Sequence, residues 1–315
     1  MTRAVLLLAA ALFVVLLAAV PAALLLDLPY LLFLFQQLAI LATAAVGLNL
    51  VLGYAGLPAF GHAAFVGIGS YTVGILATEL PGTLFTSAWV QLPLAAALAG
   101  LVAALIGAVS LRTRGVAFLM ITLAFGQMLY FAAVALERYG GDDGMILVAP
   151  SRLGEQNLSR GVLSYTISVA VLAVALYVSF RLMRSPFGTV LRGAAANERR
   201  MQAVGVAVHR YRIGAFAASG ALCGIAGVLL ANHTAFISPA TLAWTRSVEL
   251  AVMVLLGGAG TLFGPLFGAA AFVLLEEVLS GVTEHWRIVF GPLLLLVVLA
   301  APGGIAGLLG RQSND

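Results

Sequence analysis

Apolar residues run along this chain in blocks of roughly bilayer length, and polar residues are confined to the gaps between them. A hydrocarbon core takes about 20 apolar residues as helix. The blocks therefore predict spans over residues 4–26, 31–52, 60–80, 92–111, 116–136, 163–180, 213–230, 248–275 and 288–301. The expected fold is an all-α polytopic membrane protein with about 8–10 transmembrane helices. Residues 1–315 form a single transmembrane domain. The first block follows Met1-Thr2-Arg3 and has the outline of a signal peptide, with Val20-Pro21-Ala22-Ala23 as a cleavage region. It runs on to Leu26, past the usual signal-peptide core, and reads as an uncleaved span.

Two blocks are broken. Gly53-Tyr54-Ala55-Gly56-Leu57-Pro58 interrupts the apolar pattern early, with Gly61, Gly67 and Gly69 close behind. Gly257-Gly258-Ala259-Gly260 and Gly264-Pro265 interrupt it again in the second half. A straight helix over residues 248–275 would be about 42 Å long, too long without tilt. Pro265 removes a hydrogen bond and needs a protein-lined setting, so a re-entrant pair of half-helices fits better. Gly/Pro-interrupted apolar segments in both halves of a chain point to a translocation pathway. On that basis Asn49, Gly53, Tyr54, Gly56, His62, Gly257, Gly258, Gly260 and Gly264 are candidates to line it. Close helix packing is a compatible alternative, because Gly260, Gly264 and Gly268 fall at spacing four and would share one helical face.

The longest polar insert between apolar blocks is residues 185–212, with Arg184, Arg192, Arg199, Arg200, Arg210 and Arg212 in or beside it. Ser185-Pro186 is a helix start, since Pro needs no N–H partner in the first turn. Residues 188–204 read as a short helix, with Gly205 as its C-cap. So many arginines resist translocation, which places the insert in the cytoplasm. It is either a docking element or a solvated loop that only fixes topology. The same rule puts the N-terminus inside, along with Arg3, Arg112, Arg114 and Arg181. Asp27, Glu79 and the loop 137–161 fall on the periplasmic side. A re-entrant path over 248–275 returns Glu276, Glu277 and Glu284 to that side and leaves Arg311 inside.

Composition excludes most other classes. Hydrophobic residues are 62% and charged residues 9%, against about 25% charged in a soluble domain. The net charge of +4 is all arginine, spread over loops, with no nucleic-acid face. The single Cys223 excludes an internal disulfide. No phosphate-binding G-x-x-x-x-G-K-[ST] loop, zinc-ligand spacing or nucleophile elbow occurs, so neither catalysis, a metal nor a cofactor is expected. His62, His209, His233 and His285 are isolated in sequence, and His62 reads as a side chain at a helix end rather than a ligand. Glu249 follows Arg246 by one turn and can pair with it. No acidic residue sits mid-span, which counts against a proton-driven carrier. Asn49, Gln127 and Asn232 suit helix-to-helix hydrogen bonds.

Three regions together carry a family resemblance. The first is Gly47-Leu48-Asn49-Leu50-Val51-Leu52-Gly53-Tyr54-Ala55-Gly56 with Gly61-His62-Ala63-Ala64-Phe65 and Gly67-Ile68-Gly69-Ser70-Tyr71. The second is Ser185-Pro186-Phe187-Gly188, Arg192, Asn197-Glu198, Ala203-Val204-Gly205-Val206 and Tyr211. The third is Gly257 to Pro265 with Gly268. In order and spacing they resemble the permease subunits of bacterial ABC importers for branched-chain amino acids, the LivH/LivM type, closer to LivM. The resemblance implies that the second region is a coupling helix resting in a groove of an ATPase subunit, with Gly188, Arg192, Ala195, Asn197, Glu198, Ala203 and Gly205 on it. Arg199-Arg200-Met201-Gln202 departs from the small residues usual after the Asn-Glu pair and implies an acidic groove on the partner. It further implies a second permease subunit in a heterodimer, two cytoplasmic ATPases, a periplasmic substrate-binding protein, the lipid bilayer of the inner membrane and no nucleic acid. Permeases for urea and short-chain amides are very similar, so they remain an alternative. A stand-alone channel or secondary carrier is the other; association with an ATPase separates the two.

Overall fold

The computed structural model of the chain describes residues 29–147, 149–153, 156–158, 161–282, 288, 291–292 and 303–311, with residues 8, 12, 13, 15 and 16. The expected spans 4–26 and 288–301 lie outside the described residues apart from those single positions, as do Arg3, Asp27, Glu155, Arg160, Glu284 and His285.

The described chain is helical in all its long elements. They are α1 Pro29–Asn49, α2 His62–Glu79, α3 Ala88–Ser110, α4 Val116–Val134, α5 Val162–Arg184, α6 Pro186–Ala196, α7 Glu198–Ala203, α8 Val208–Thr234, α9 Trp244–Gly257, α10 Gly264–Val282 and α11 Gly304–Arg311. The end of α1 widens into a π-helical turn, Leu50–Tyr54. Six segments are long and apolar enough to cross a membrane: Tyr30–Tyr54, Ala88–Ser110, Val116–Val134, Val162–Arg184, Val208–Thr234 and Gly264–Gly281. This is the expected all-α polytopic fold. The helices need no pairing partner for their backbone, which is why they tolerate lipid. Helix α2 is not one of the six; it lies within the bundle, buried from His62 through most positions to Gly74.

Helices α1 and α8 form the centre and run antiparallel. Phe33 stacks on His233 with ring centroids 4.1 Å apart, and the Ser219 hydroxyl donates to the Gly47 carbonyl at 2.7 Å. Helices α2 and α3 pack on α8, while α5 and α10 pack on α1. The crossing of α2 with α8 is backbone on backbone. A Cβ added at Gly69 would lie 2.0 Å from the Gly224 oxygen, and one at Gly227 would lie 1.9 Å from the Val66 oxygen. Such close approach replaces the missing hydrophobic drive between helices in lipid.

Two helix–turn–helix segments, one after α1 and one after α8, are built alike. After α1 the chain turns back through residues 55–61 and begins α2 inside the bundle. After α8 it turns back through residues 235–243 and begins α9 inside the bundle. The two starts meet, for the Ala63 N–H donates to the Ser247 hydroxyl at 3.0 Å. At 14 residues α9 is about 21 Å long, short of a bilayer core. The chain reverses at 258–263 and returns as α10. Cβ atoms at Gly257 and Gly268 would each fall 1.7 Å from a backbone oxygen, those of Gly264 and Met253 respectively, so this hairpin closes without side chains between its backbones. The chain over 248–275 is thus broken where the Gly/Pro pattern predicts. It forms one short helix, α9, and α10, which at 19 residues is among the six segments long enough to cross a membrane rather than a half-helix. Gly260 differs from expectation: with φ of +76° it sits in the turn, not on a helical face with Gly264 and Gly268.

The insert differs too. Residues 188–204 are not one helix but α6 and α7, broken at Asn197. The Asn197 side chain accepts the Arg200 N–H at 3.0 Å, and this N-cap bond competes with continuing the first helix. The Ser185-Pro186 start and the Gly205 cap stand as expected. Gly205 has φ of +85°. Its N–H donates to Gln202 and that of Val206 to Met201, at 2.9 and 3.2 Å, which is a Schellman closure. Asn232 holds a loop rather than a helix: its side-chain oxygen accepts the Ser151 N–H at 2.8 Å.

Candidate functional site

The two broken segments meet at Asn49. Its amide nitrogen donates to the Thr261 carbonyl at 2.9 Å, and its oxygen accepts the Gly260 N–H at 2.9 Å. One side chain from the end of α1 thus satisfies both polar groups of an irregular turn more than two hundred residues away. Both bonds are part-buried, so each group left unmade would cost at most about 1–3 kcal/mol. Gly53 lies over the same knot: a Cβ there would fall 2.0 Å from the Asn49 oxygen and 2.2 Å from the Gly260 nitrogen. Thr261 closes the turn from within, donating to the Gly258 carbonyl at 2.8 Å and accepting the Gly264 N–H at 3.0 Å. Gly258, with φ of +114°, brings the turn against the start of α11, where a Cβ would meet the Gly303 oxygen at 2.7 Å.

The insert is held by charge. Glu198 at the start of α7 pairs with Arg114 at 3.1 Å and with Arg212 at 3.0 Å, and accepts from Gln202 at 3.1 Å. It therefore ties α7 to the turn before α4 and to the first residues of α8. Arg212 is 11% exposed and Arg114 64%, so the Arg212 arm is the less screened of the two; an exposed pair contributes only about 0–1 kcal/mol. Arg199 and Arg200 face outward, as do Ala195 and Ala203. Gly188 is buried where a Cβ would fall 2.4 Å from the Met183 oxygen, which lets α6 fold tightly back on α5.

Insert and broken segments touch. A Cβ at Gly56 would lie 3.3 Å from that of Ala195. Beside this contact a cavity of about 400 Å³ is lined by Tyr54, Arg184, Arg192, Gly260 and Thr261, so residues of both breaks and of α5 and α6 share one wall. The structure thus gathers Asn49, Gly53, Tyr54, Gly56, Gly258, Gly260, Arg192 and Ala195 into one region. Gly257 and Gly264 lie one step behind it, at the close crossing of α9 and α10. Ala203 and Gly205 stand apart on the exposed end of α7.

His62 also stands apart. It is the first residue of α2, as a helix-end position requires, but its ring is enclosed, 5.3 Å from Phe65 and 5.2 Å from Phe216 between centroids. Among the described residues neither ring nitrogen has a hydrogen-bond partner, and no group of His, Cys, Asp and Glu is placed to hold a metal. Thr261, Arg114, Arg212 and Ser247 are the residues that sequence reasoning missed. Arg212 carried a signal as part of the arginine-rich insert, Arg114 as a cytoplasmic arginine and Thr261 within the second Gly/Pro break, but no signal pointed to these contacts; Ser247 carried none.

Comparison with known proteins agrees with this architecture. The family profile described as "Branched-chain amino acid transport system / permease component" matches residues 30–298. The high-affinity branched-chain amino acid transport system permease protein LivM of Escherichia coli (strain K12) is 27% identical over 284 residues, covering 82% of this chain and 66% of that protein. This chain therefore spans slightly less than two thirds of that relative's length. A probable branched-chain amino acid transport permease protein LivM of Methanocaldococcus jannaschii is 27% identical over 312 residues, covering 83% of this chain and 88% of the relative. The ribose import permease protein RbsC of Haemophilus influenzae is more distant, 22% identical with 84% and 82% covered. No solved structure matches.

Proposed function

The chain belongs to the family of branched-chain amino acid transport system permease components, and from that premise we propose that it forms half of the translocation pathway of an ABC importer for branched-chain amino acids. A second permease subunit supplies the other half, two cytoplasmic ATPases drive it, and a periplasmic binding protein delivers the cargo. The complex lies in the bacterial inner membrane, with the N-terminus and residues 185–212 in the cytoplasm and the loop 137–161 in the periplasm. The chain performs no chemistry of its own.

The observation that carries this is the packing of α6 against the π-helical end of α1, the first break, with Ala195 bounding the space beside Gly56. An ATPase seated on α6 and α7 can push on the pathway only through a connection of this kind. The outward Arg199 and Arg200 suit an acidic groove on the ATPase, and the Asn197 cap and Gly205 closure give α7 fixed ends to be pushed. The test is capture of the ATPases by the tagged chain, coupled to uptake of L-leucine into vesicles supplied with the binding protein. Expected is retention of the ATPases and uptake that stops without ATP. Uptake by the chain alone, driven by an ion gradient, would make it a secondary carrier instead. Sidedness has its own check: a cysteine at Thr189 should react with an impermeant reagent only from the cytoplasmic face.

A further inference from the structure

A second cavity, of about 320 Å³, opens against the outer halves of α1 and α8 and the start of α9. That volume lies at the small end of ligand pockets, which run about 300–1,000 Å³. Its walls are largely apolar, including Ile40, Leu41, Leu230, Leu250 and Phe272. Two opposite charges stand together on it: Arg246 and Glu249, both lining residues, are bonded to each other at 2.7 Å. Thr241 and Glu276 also line it.

We propose that this cavity is a transit site for a free amino acid with a branched apolar side chain, its carboxylate taken by Arg246 and its ammonium group by Glu249. When the cavity is empty the two side chains satisfy each other. Both side chains are partly exposed, 54% for Arg246 and 24% for Glu249, so a zwitterion inserted between them gives each a new partner of the right sign without stripping either of all its water. The apolar walls then receive the side chain. A sugar offers neither charge. A fatty acid offers only one, leaving Glu249 facing a deserted partner. Exchange of one ion pair for two of similar quality binds weakly, which suits a site that must release its occupant. The pair sits in the first two turns of α9, and the last residue of that helix, Gly257, immediately precedes the turn whose Gly260 and Thr261 are held by Asn49. Occupancy and the coupling insert therefore act on opposite ends of one short rigid element. The proposal rests on the importer function above and adds to it a determinant of cargo within the membrane part.

The test uses the assembled permease–ATPase complex in vesicles, without binding protein. Thr241→Cys places a thiol in the cavity, and the native Cys223 is fully buried. The rate of maleimide labelling at that thiol is read with L-leucine, L-leucinamide or 4-methylpentanoate present. L-leucine should slow labelling several-fold, and neither analogue should do so. Arg246→Gln should reduce protection by L-leucine to that by L-leucinamide, while Arg246→Lys keeps part of it. Both sites are partly exposed, so folding is preserved, and retention of the ATPases confirms it. Equal protection by all three compounds, protection unchanged in Arg246→Gln, or no protection at all would overturn the proposal. In that case ATP-driven uptake with wild-type binding protein continues and the importer function stands. Protection by L-leucine in a chain whose uptake needs no ATPase supports the transit site and removes the importer function instead.

Discussion

The Asn49 knot and the arginine-rich insert are built from opposite materials. At the knot, backbones touch: Gly53, Gly260 and Asn49 leave no room for a methyl group, and one amide side chain closes the hydrogen bonding of the turn. In the insert, α7 is held by Glu198 and its two arginines, most of it facing solvent. On the proposed function, the first region is the one that would transmit displacement, because its backbones are in close contact. On the same proposal, the second is the one that would accept a partner, because most of its surface is exposed and its own ion pairs are partly solvated. A device that converts docking into movement needs both, joined where Ala195 meets Gly56.

If that contrast holds, the largest effect belongs to Gly53→Ala. The added methyl group overlaps Asn49 and Gly260 at once, and overpacking of this kind costs about 1–3 kcal/mol or more. The folded yield in detergent should fall sharply; a yield equal to the parent chain would mean the knot is loose. Asn49→Leu comes next. It removes partners from the part-buried Gly260 N–H and Thr261 carbonyl, at no more than about 1–3 kcal/mol for each group left unmade. The melting temperature of the purified chain should drop, and Asn49→Asp, which keeps the acceptor for Gly260, should lie between. Glu198→Gln should do least to stability, about 1 kcal/mol or less, while reducing hydrolysis-coupled uptake. A stability loss as large as that of Asn49→Leu would erase the difference between the two regions.

The contrast also explains what the sequence revealed. Spans, the Gly205 cap and the Arg246–Glu249 pair are local, so spacing along one helix exposes them. The break of the insert at Asn197 is local as well, but it turns on whether an Asn side chain caps or merely rides a helix, and the flanking residues favour neither. The Asn49 partners lie more than two hundred residues away and are backbone groups, which carry no side-chain signature. Gly260 shared the four-residue spacing of Gly264 and Gly268, yet its positive φ belongs to a turn, and spacing does not encode φ. Residues 235–243, whose return into the bundle makes α9 the counterpart of α2, carry no periodic pattern at all.

The most direct measurement compares Ala203→Glu with Ala195→Leu in reconstituted vesicles, reading ATPase capture and L-leucine uptake per ATP hydrolysed. Ala203 lies on the exposed end of α7 and Ala195 at the Gly56 contact. The expected result is a split: Ala203→Glu loses the ATPases, whereas Ala195→Leu retains them but hydrolyses ATP with little uptake. Normal capture and normal coupling in both variants would contradict the account, leaving residues 185–212 as a loop that only sets topology.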